Sequence, residues 1–250
     1  MAEVITFAPG GYRYIKGPFQ YSAGVAAEPG FEIERVRFLK PLPLAAGFTA
    51  VEAHLAAIGR LPTAFCACEL RSPAPFTEQG FIEFNRHYVA TLERWGIYRD
   101  GVNPVARTNV CPAVDAPSSP ALFAFSYTLA ADAVPQRTFV IAGGGEAPEG
   151  KPNYRDHIVR RGDRTLDGLR EKVRFVMAVM ERRLAALGFA WSDTAVTQAY
   201  TVFDIGPLVM EEIVQRGAAA GGLTWNLCRP PVVDLDYEMD VRRPARELVR

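Results

Sequence analysis

Two stretches of this chain read alike and differ at one reactive position. Arg107 stands in ARTNVCP, and TWNLCRP at 224–230 repeats the Asn-aliphatic-Cys pattern with Thr224 where the arginine was. A guanidinium is a planar fork suited to gripping a carboxylate with two hydrogen bonds. An arginine among apolar neighbours is also costly to bury alone. Arg107 therefore reads either as a clamp for an anionic ligand or as half of a salt bridge to an acidic residue of the second half. Arg229 has the same two readings, as a second anion ligand or as a partner of Asp234 or Asp236. Asn109 and Asn226, the repeated polar residues, would either bind a ligand or satisfy the backbone at a strand irregularity. In DLDYEMD, Asp236, Glu238 and Asp240 alternate, so on a strand all three point one way; a solvated acidic face is the plain expectation, for two of them at least.

Other reactive residues are less organised. Cys66 and Cys68 form a C-x-C in TAFCACEL and on a regular strand share one face. No further ligands stand at zinc spacing, and His54, His87 and His157 are scattered, so Cys66, Cys68, Cys111 and Cys228 read as buried free thiols. GGGE at 143–146 lacks the Gly-Lys-Ser/Thr ending of a phosphate loop, which leaves a turn. Lysine plus arginine and aspartate plus glutamate balance at 28 each, which provides no electrostatic footprint for nucleic acid or an anionic membrane. No segment approaches the roughly 18 unbroken apolar residues of a membrane span. The start, MAEVITFAPGG, lacks the pattern of a signal peptide, and a cytoplasmic protein is expected.

The elements that must hold these residues come twice. FQYSAGVAAEPGFEIERVRFL predicts two strands hairpinned at Pro29–Gly30, and FTAVEAHLAAIG a helix opened by a Thr49–Glu52 capping box. TAFCACEL predicts a strand, GFIEFNRHYVATLERWG a helix burying Phe81, Phe84, Tyr88, Leu92 and Trp95, and ARTNVCP and PALFAFSYTLA two strands. In the second half RTFVIAGGG predicts a strand. TLDGLREKVRFVMAVMERRLAALG is a long helix with a stripe from Leu169 to Leu187, stopped at Gly188. A strand (DTAVTQAYTVFD), a helix (GPLVMEEIVQRG) and one or two closing strands complete the order. HLAAIGR answers RLAALGF, YSAG answers VIAGG, and RTNVC answers TWNLC, in the same sequence of elements. The fold class is α+β: two tandem domains, 1–130 and 137–250, joined near AADAVPQR, each a mixed sheet with two helices on one face. Several strands are apolar on both faces, so a second sheet should cover the side away from the helices.

The second half resembles the Rid/YjgF family of imine and enamine deaminases, on the strength of TLDGLREKVRFVMAVMERRLAALG before WSDTAVTQAYTVFD and of the closing CRPPVVDLDYEMDV. The first half is identified chiefly by repeating the second. The resemblance implies a chorismate-mutase-like fold, trimeric closure with ligand sites in the clefts, an arginine that grips a substrate carboxylate and, further along, a glutamate that positions water. Glu238 falls where that glutamate belongs, but no arginine precedes it at the right distance. Arg107 falls where that arginine belongs, but no carboxylate follows it. Tyr21 falls near an aromatic that walls the family's pocket, or is half-buried packing. Each half thus keeps one part of the machinery.

The resemblance implies hydrolytic deamination of a small 2-imino or 2-enamino carboxylate without metal or organic cofactor. Arg107 would clamp, Glu238 would hold and deprotonate water, and Arg229 would meet a second carboxylate. Two arginines suit a dicarboxylate such as 2-aminomuconate, from aromatic breakdown, on which some relatives act. The partners expected are a small-molecule carboxylate and further copies of the chain, as a homotrimer. A ligand-binding or regulatory protein without turnover is the alternative, and the balanced charge speaks against a ribonuclease-like activity.

Overall fold

A computed structural model describes residues 2–131 and 136–250; the middle of the expected joint, 132–135, lies outside the described residues. Strands β1 (Val4–Phe7), β2 (Tyr12–Ile15) and β3 (Gly24–Ala27) open the chain as a meander. The first half continues with β4 (Phe31–Pro43), α1 (Leu44–Ala57), β5 (Phe65–Arg71), α2 (Glu78–Arg94), β6 (Ala106–Pro112) and β7 (Ala121–Ala130). The second half runs β8 (Phe139–Gly145), α3 (Leu166–Ala186), β9 (Val196–Tyr200) and α4 (Gly206–Leu208), which passes into a π-helical turn over Val209–Val214. It closes with β10 (Leu223–Asn226), β11 (Cys228–Arg229), β12 (Glu238–Arg243) and β13 (Arg246–Val249).

These strands build two mixed sheets, β11-β6-β5-β7-β4-β13 and β1-β2-β3-β8-β12-β9-β10. Each contains the same four-strand pattern. In the first, β4 pairs antiparallel with β7, β7 antiparallel with β5, and β5 parallel with β6. In the second, β8, β12, β9 and β10 pair in that order and with those directions. Strands also cross between the halves. The N-terminal meander joins the second half's sheet through β3 on β8, whereas β11 and β13 join the first half's sheet through β6 and β4.

The sheets pack face to face on Tyr12, Val25, Ile33, Cys66, Ala106 and Val140, with helices on the outer faces. The helical stripes read from the sequence are buried as expected: Phe81, Phe84, Tyr88 and Leu92 of α2 on one side, and Leu169 through Leu184 of α3 on the other. Truncating one of these, Leu184 to alanine for example, costs about 2–5 kcal/mol through lost contact and the hole left behind. Both helices are capped by threonine, Thr77 accepting from Gly80 N and Thr165 from Gly168 N. Among the described residues, no helix is long and apolar enough to cross a membrane.

Four local expectations are corrected. Gly30, with φ 87°, does not close a hairpin; β3 and β4 belong to different sheets, and the turn carries the chain from one to the other. Helix α1 starts at Leu44 rather than at Thr49, whose hydroxyl instead donates to Ala45 O within the helix. A register shift in β5 between Phe65 and Ala67 turns Cys66 towards the opposite sheet and Cys68 towards the helices, so the C-x-C thiols do not share a face. Gly143–Gly145 are not a turn but the end of strand β8. All four cysteines are buried and free, as read from the sequence.

Candidate active site

A cavity of about 940 Å³ opens between the two halves, within the range of small-molecule sites. Arg107, Asn109 and Tyr21 line it from the first half and Glu238 from the second, so four of the six site residues inferred from the sequence converge there. Arg229 and Asn226 do not line it. Arg229 is exposed on β11 beside the Phe203 ring, and Asn226 donates to Gln198 at 3.2 Å. Asp234 and Asp236, the partners considered for Arg229, go elsewhere: Asp234 lies 3.8 Å from Arg161, and Asp236 binds Lys172 and Arg164.

Arg107 is buried, at 3% exposure, and projects from β6 beneath α2. Its guanidinium lies among the rings of Tyr88 (4.8 Å to the centroid), Tyr21, Phe81 and Phe84, and donates to Asn85 Oδ1 at 2.6 Å. Aromatic faces and one amide oxygen soften the burial of the cation but do not neutralise it. Among the described residues, no carboxylate lies within salt-bridge distance of Arg107, so the internal ion pair considered from the sequence is not formed. A buried, uncompensated cation at a cavity wall is a seat for an anion. Beside it, Asn109 accepts from Ser72 at 2.9 Å, while its buried side-chain NH2 has no protein partner. Tyr21 is fixed above Arg107 because its neighbours Gln20 and Ser22 are tied to the segment leading into β6, through Asn103 Nδ2 to Gln20 O (3.0 Å) and Ser22 N to Val105 O (2.8 Å).

Glu238 opens β12, paired with Gly145 on one side and Tyr200 on the other. The acidic face expected to be solvated is buried: Asp236, Glu238 and Asp240 are 2%, 4% and 0% exposed, with Asp240 against Thr108 of the other sheet and Asp236, just before β12, against Lys172 of α3. Two of the three are neutralised. Asp240 binds Arg242, Thr108 Oγ1 (2.7 Å) and Tyr200 OH (2.9 Å), and Arg242 reaches on to Glu69, which also holds Arg35 at 2.6 Å. Asp236 binds the buried Lys172 at 2.5 Å. Glu238 makes no side-chain hydrogen bond among the described residues. Burial, and next the charge of Asp240, push its carboxyl well above the usual range, against the pull of Arg183 and Arg107. Glu238 is thus a buried carboxyl group whose hold on its proton is strengthened, facing a cavity.

Two devices place it. A Cβ on Gly143 would fall 2.1 Å from Glu238 Oε1, and one on Gly144 would meet Met180 at 2.9 Å and Arg183 Nη1 at 3.1 Å, so β8 needs glycine for the acid and Arg183 to approach it. Glu146 accepts from the backbone NH groups of Asp236 (2.5 Å) and Tyr237 (3.1 Å), fixing the turn just before Glu238. Burial pushes the Glu146 carboxyl up to about 7, despite these bonds and nearby Lys172. Among the described residues, no group of three or more His, Cys, Asp or Glu is arranged to hold a metal ion.

Arg183 was missed in the sequence. It is buried, lines the cavity, and donates to Ala142 O (2.8 Å) and to Glu149 Oε1 (2.7 Å). Its signal was its place: Arg183 follows Met180 by three residues and precedes Leu187 by four, inside the apolar stripe of α3. Lys172 interrupts the same stripe between Leu169 and Val176.

Residues 4–248 match the family described as 2-aminomuconate deaminase CnbZ. A 2-amino-5-chloromuconate deaminase from Comamonas testosteroni is 60% identical over 250 residues, covering 100% of both chains. A crystal structure of a chorismatase is similar over 88% of this chain and 77% of its own, at 14% identity and a TM-score of 0.45.

Proposed function

The chain belongs to the 2-aminomuconate deaminase CnbZ family, and from that premise we propose that it hydrolytically deaminates a short 2-enamino carboxylate of the aminomuconate type. The observation that carries this reading is the pairing, in one cavity, of a buried arginine without a salt-bridge partner and a buried glutamate with no side-chain hydrogen bond among the described residues. The first fits a substrate carboxylate and the second fits the proton transfers that an enamine requires.

With the carboxylate on Arg107, the adjacent C2 lies near Glu238. Protonated Glu238 gives its proton to C3 as the C2=C3 double bond shifts to C2=N, leaving an iminium. Water then adds at C2 and loses a proton to the Glu238 carboxylate, forming a carbinolamine. On collapse Glu238 protonates the nitrogen and recovers a proton from the hydroxyl; the C–N bond breaks, ammonia leaves and a 2-oxo acid remains. Glu238 ends as it began, so one group serves as acid and base. This chemistry asks more of Glu238 than holding water, because its first act is as an acid. The NH2 of Asn109 is a free donor beside the seat for the carboxylate.

The finer kinship, two Rid-like units joined near 130–137, is part of the same proposal. Its support is the repeated pattern β4-β7-β5-β6 and β8-β12-β9-β10. The test of function is ammonia release from freshly generated 2-aminomuconate. Wild-type protein is expected to release one ammonia per substrate, and Glu238→Gln to release almost none. Tight binding of 2-aminomuconate by the wild type without ammonia release would support a binding protein instead.

A further inference from the structure

Arg183 and Tyr21 already hold a carboxylate in the cavity, and it belongs to the protein. Glu149 Oε1 accepts from Arg183 Nη2 at 2.7 Å and from the Tyr21 hydroxyl at 3.0 Å. Arg183 cannot leave: its side chain is 7% exposed and its Nη1 is tied to Ala142 O on β8. Glu149 can. It lies in the irregular segment between β8 and α3, its side chain is 37% exposed, and Gly150 beside it has φ 73°. A fixed guanidinium and a fixed phenol thus converge on one carboxylate carried by an exposed loop. The contacts run in order from Arg107 to the Tyr21 ring (5.5 Å), from the Tyr21 hydroxyl to Glu149, and from Glu149 to Arg183. The two anion positions therefore lie at the ring and at the hydroxyl end of the same tyrosine, in the cavity that Glu238 also lines.

We propose that Arg183 and Tyr21 form a distal carboxylate subsite, and that Glu149 occupies it as a stand-in until the far carboxylate of a linear dicarboxylate displaces it. The subsite rests on the reading of Arg107 as the proximal clamp and adds what that reading lacks, a reason to prefer dicarboxylates over monocarboxylates. It gives Arg183 the task that the sequence suggested for Arg229. The cost of displacing Glu149 lowers affinity for every dicarboxylate alike, so this loop residue sets how tightly the substrate is held without touching the reacting carbons.

The test is calorimetric titration of the full chain with cis,cis-muconate, a dicarboxylate, and with sorbate, the monocarboxylate of the same chain length. Wild type should prefer muconate. Glu149→Ala should tighten muconate about tenfold, equivalent to about 1.4 kcal/mol, and leave sorbate within about twofold. Arg183→Met should reduce muconate to the level of sorbate; because that variant also loses its bond to Ala142 O, the loop variant is the decisive one. Unchanged or weaker muconate binding by folded Glu149→Ala would overturn the subsite while leaving the proximal clamp intact. Failure of both acids to bind wild type, or sorbate binding indifferent to Arg107→Ala, would instead remove the reading on which the subsite rests.

Discussion

Strands β6 and β10 hold the same place in the two halves, each the last strand of its pattern and parallel to the strand before it. Their surroundings differ. β6 is buried along nearly its whole length, roofed by the aromatic residues of α2, with β11 paired to its last two residues and Ser22 bridged to Ala106 at its start. β10 is a partly exposed edge, with Thr224 and Trp225 open to solvent. An arginine binds an anion strongly where water is excluded and weakly where it is not. The cover over β6, more than the arginine alone, separates a site from a surface. The companion contrast is β12 against β7: β12 carries Glu238 and Asp240 into the space between the sheets, whereas the buried positions of β7 are mostly apolar. One half supplies a dry cation and the other a dry acid.

Substitutions can break this contrast. Glu238→Gln should lower kcat by about 10³-fold, within the range for losing a general acid–base group, while the melting temperature stays level or rises because a buried ionisable group is gone. Arg107→Ala should lower kcat/KM by about 10²-fold, or about 2.7 kcal/mol, mostly through KM. With no ion pair to lose, the variant should lose only the stability held in its Asn85 hydrogen bond and aromatic packing, and a melting temperature that drops while kinetics hold would assign Arg107 a purely structural role. Gly143→Ala should reduce kcat by about tenfold by pushing the Glu238 carboxyl aside, about 1.4 kcal/mol of misplacement. Thr224→Ala, at the equivalent place in the other half, should change neither rate nor stability by more than about twofold.

The pH profile adds a sign. In the proposed reaction Glu238 starts protonated, and burial raises its proton affinity, so kcat/KM should fall as pH rises, at a higher pH than an ordinary glutamate would give. An ordinary exposed glutamate would have lost its proton well below neutrality. The same logic applies to stability at Glu146. Its folded form binds the proton up to about 7 while the unfolded chain releases it at ordinary acidic pH, so this group's contribution declines as pH rises between those points and is flat above them.

The repeated order of elements, the buried stripes of α2 and α3 and the second sheet as cover were legible because they depend on spacing and apolar pattern. Arg107 and Glu238 were legible as candidates. Their meeting in one cavity was expected from the way the two halves divide the machinery; that two sheets of a single chain would pack face to face to make it was not, because β6 and β12 lie in different sheets and local sequence says little about which distant surface a strand will face. The acidic face was misjudged for a similar reason: DLDYEMD alternates like a surface strand, but Asp240 meets Thr108 of the other sheet and Asp236 meets Lys172 of α3. Arg183 and Lys172 could have been found, as basic residues set inside an otherwise apolar helical stripe. Arg229 was offered because two arginines suit a dicarboxylate; β11 places it at the exposed edge of the sheet, away from the cavity.

The central claim is that one substrate molecule bridges the two halves, and it is tested most directly by a crystal structure of Glu238→Gln with cis,cis-muconate bound. The expected result is one carboxylate on the Arg107 guanidinium and the carbon chain passing residue 238 inside the cavity. Muconate bound elsewhere, at Arg229 on the exposed side of β11 for instance, with Arg107 still enclosed by its aromatic rings and without an anion, would contradict it.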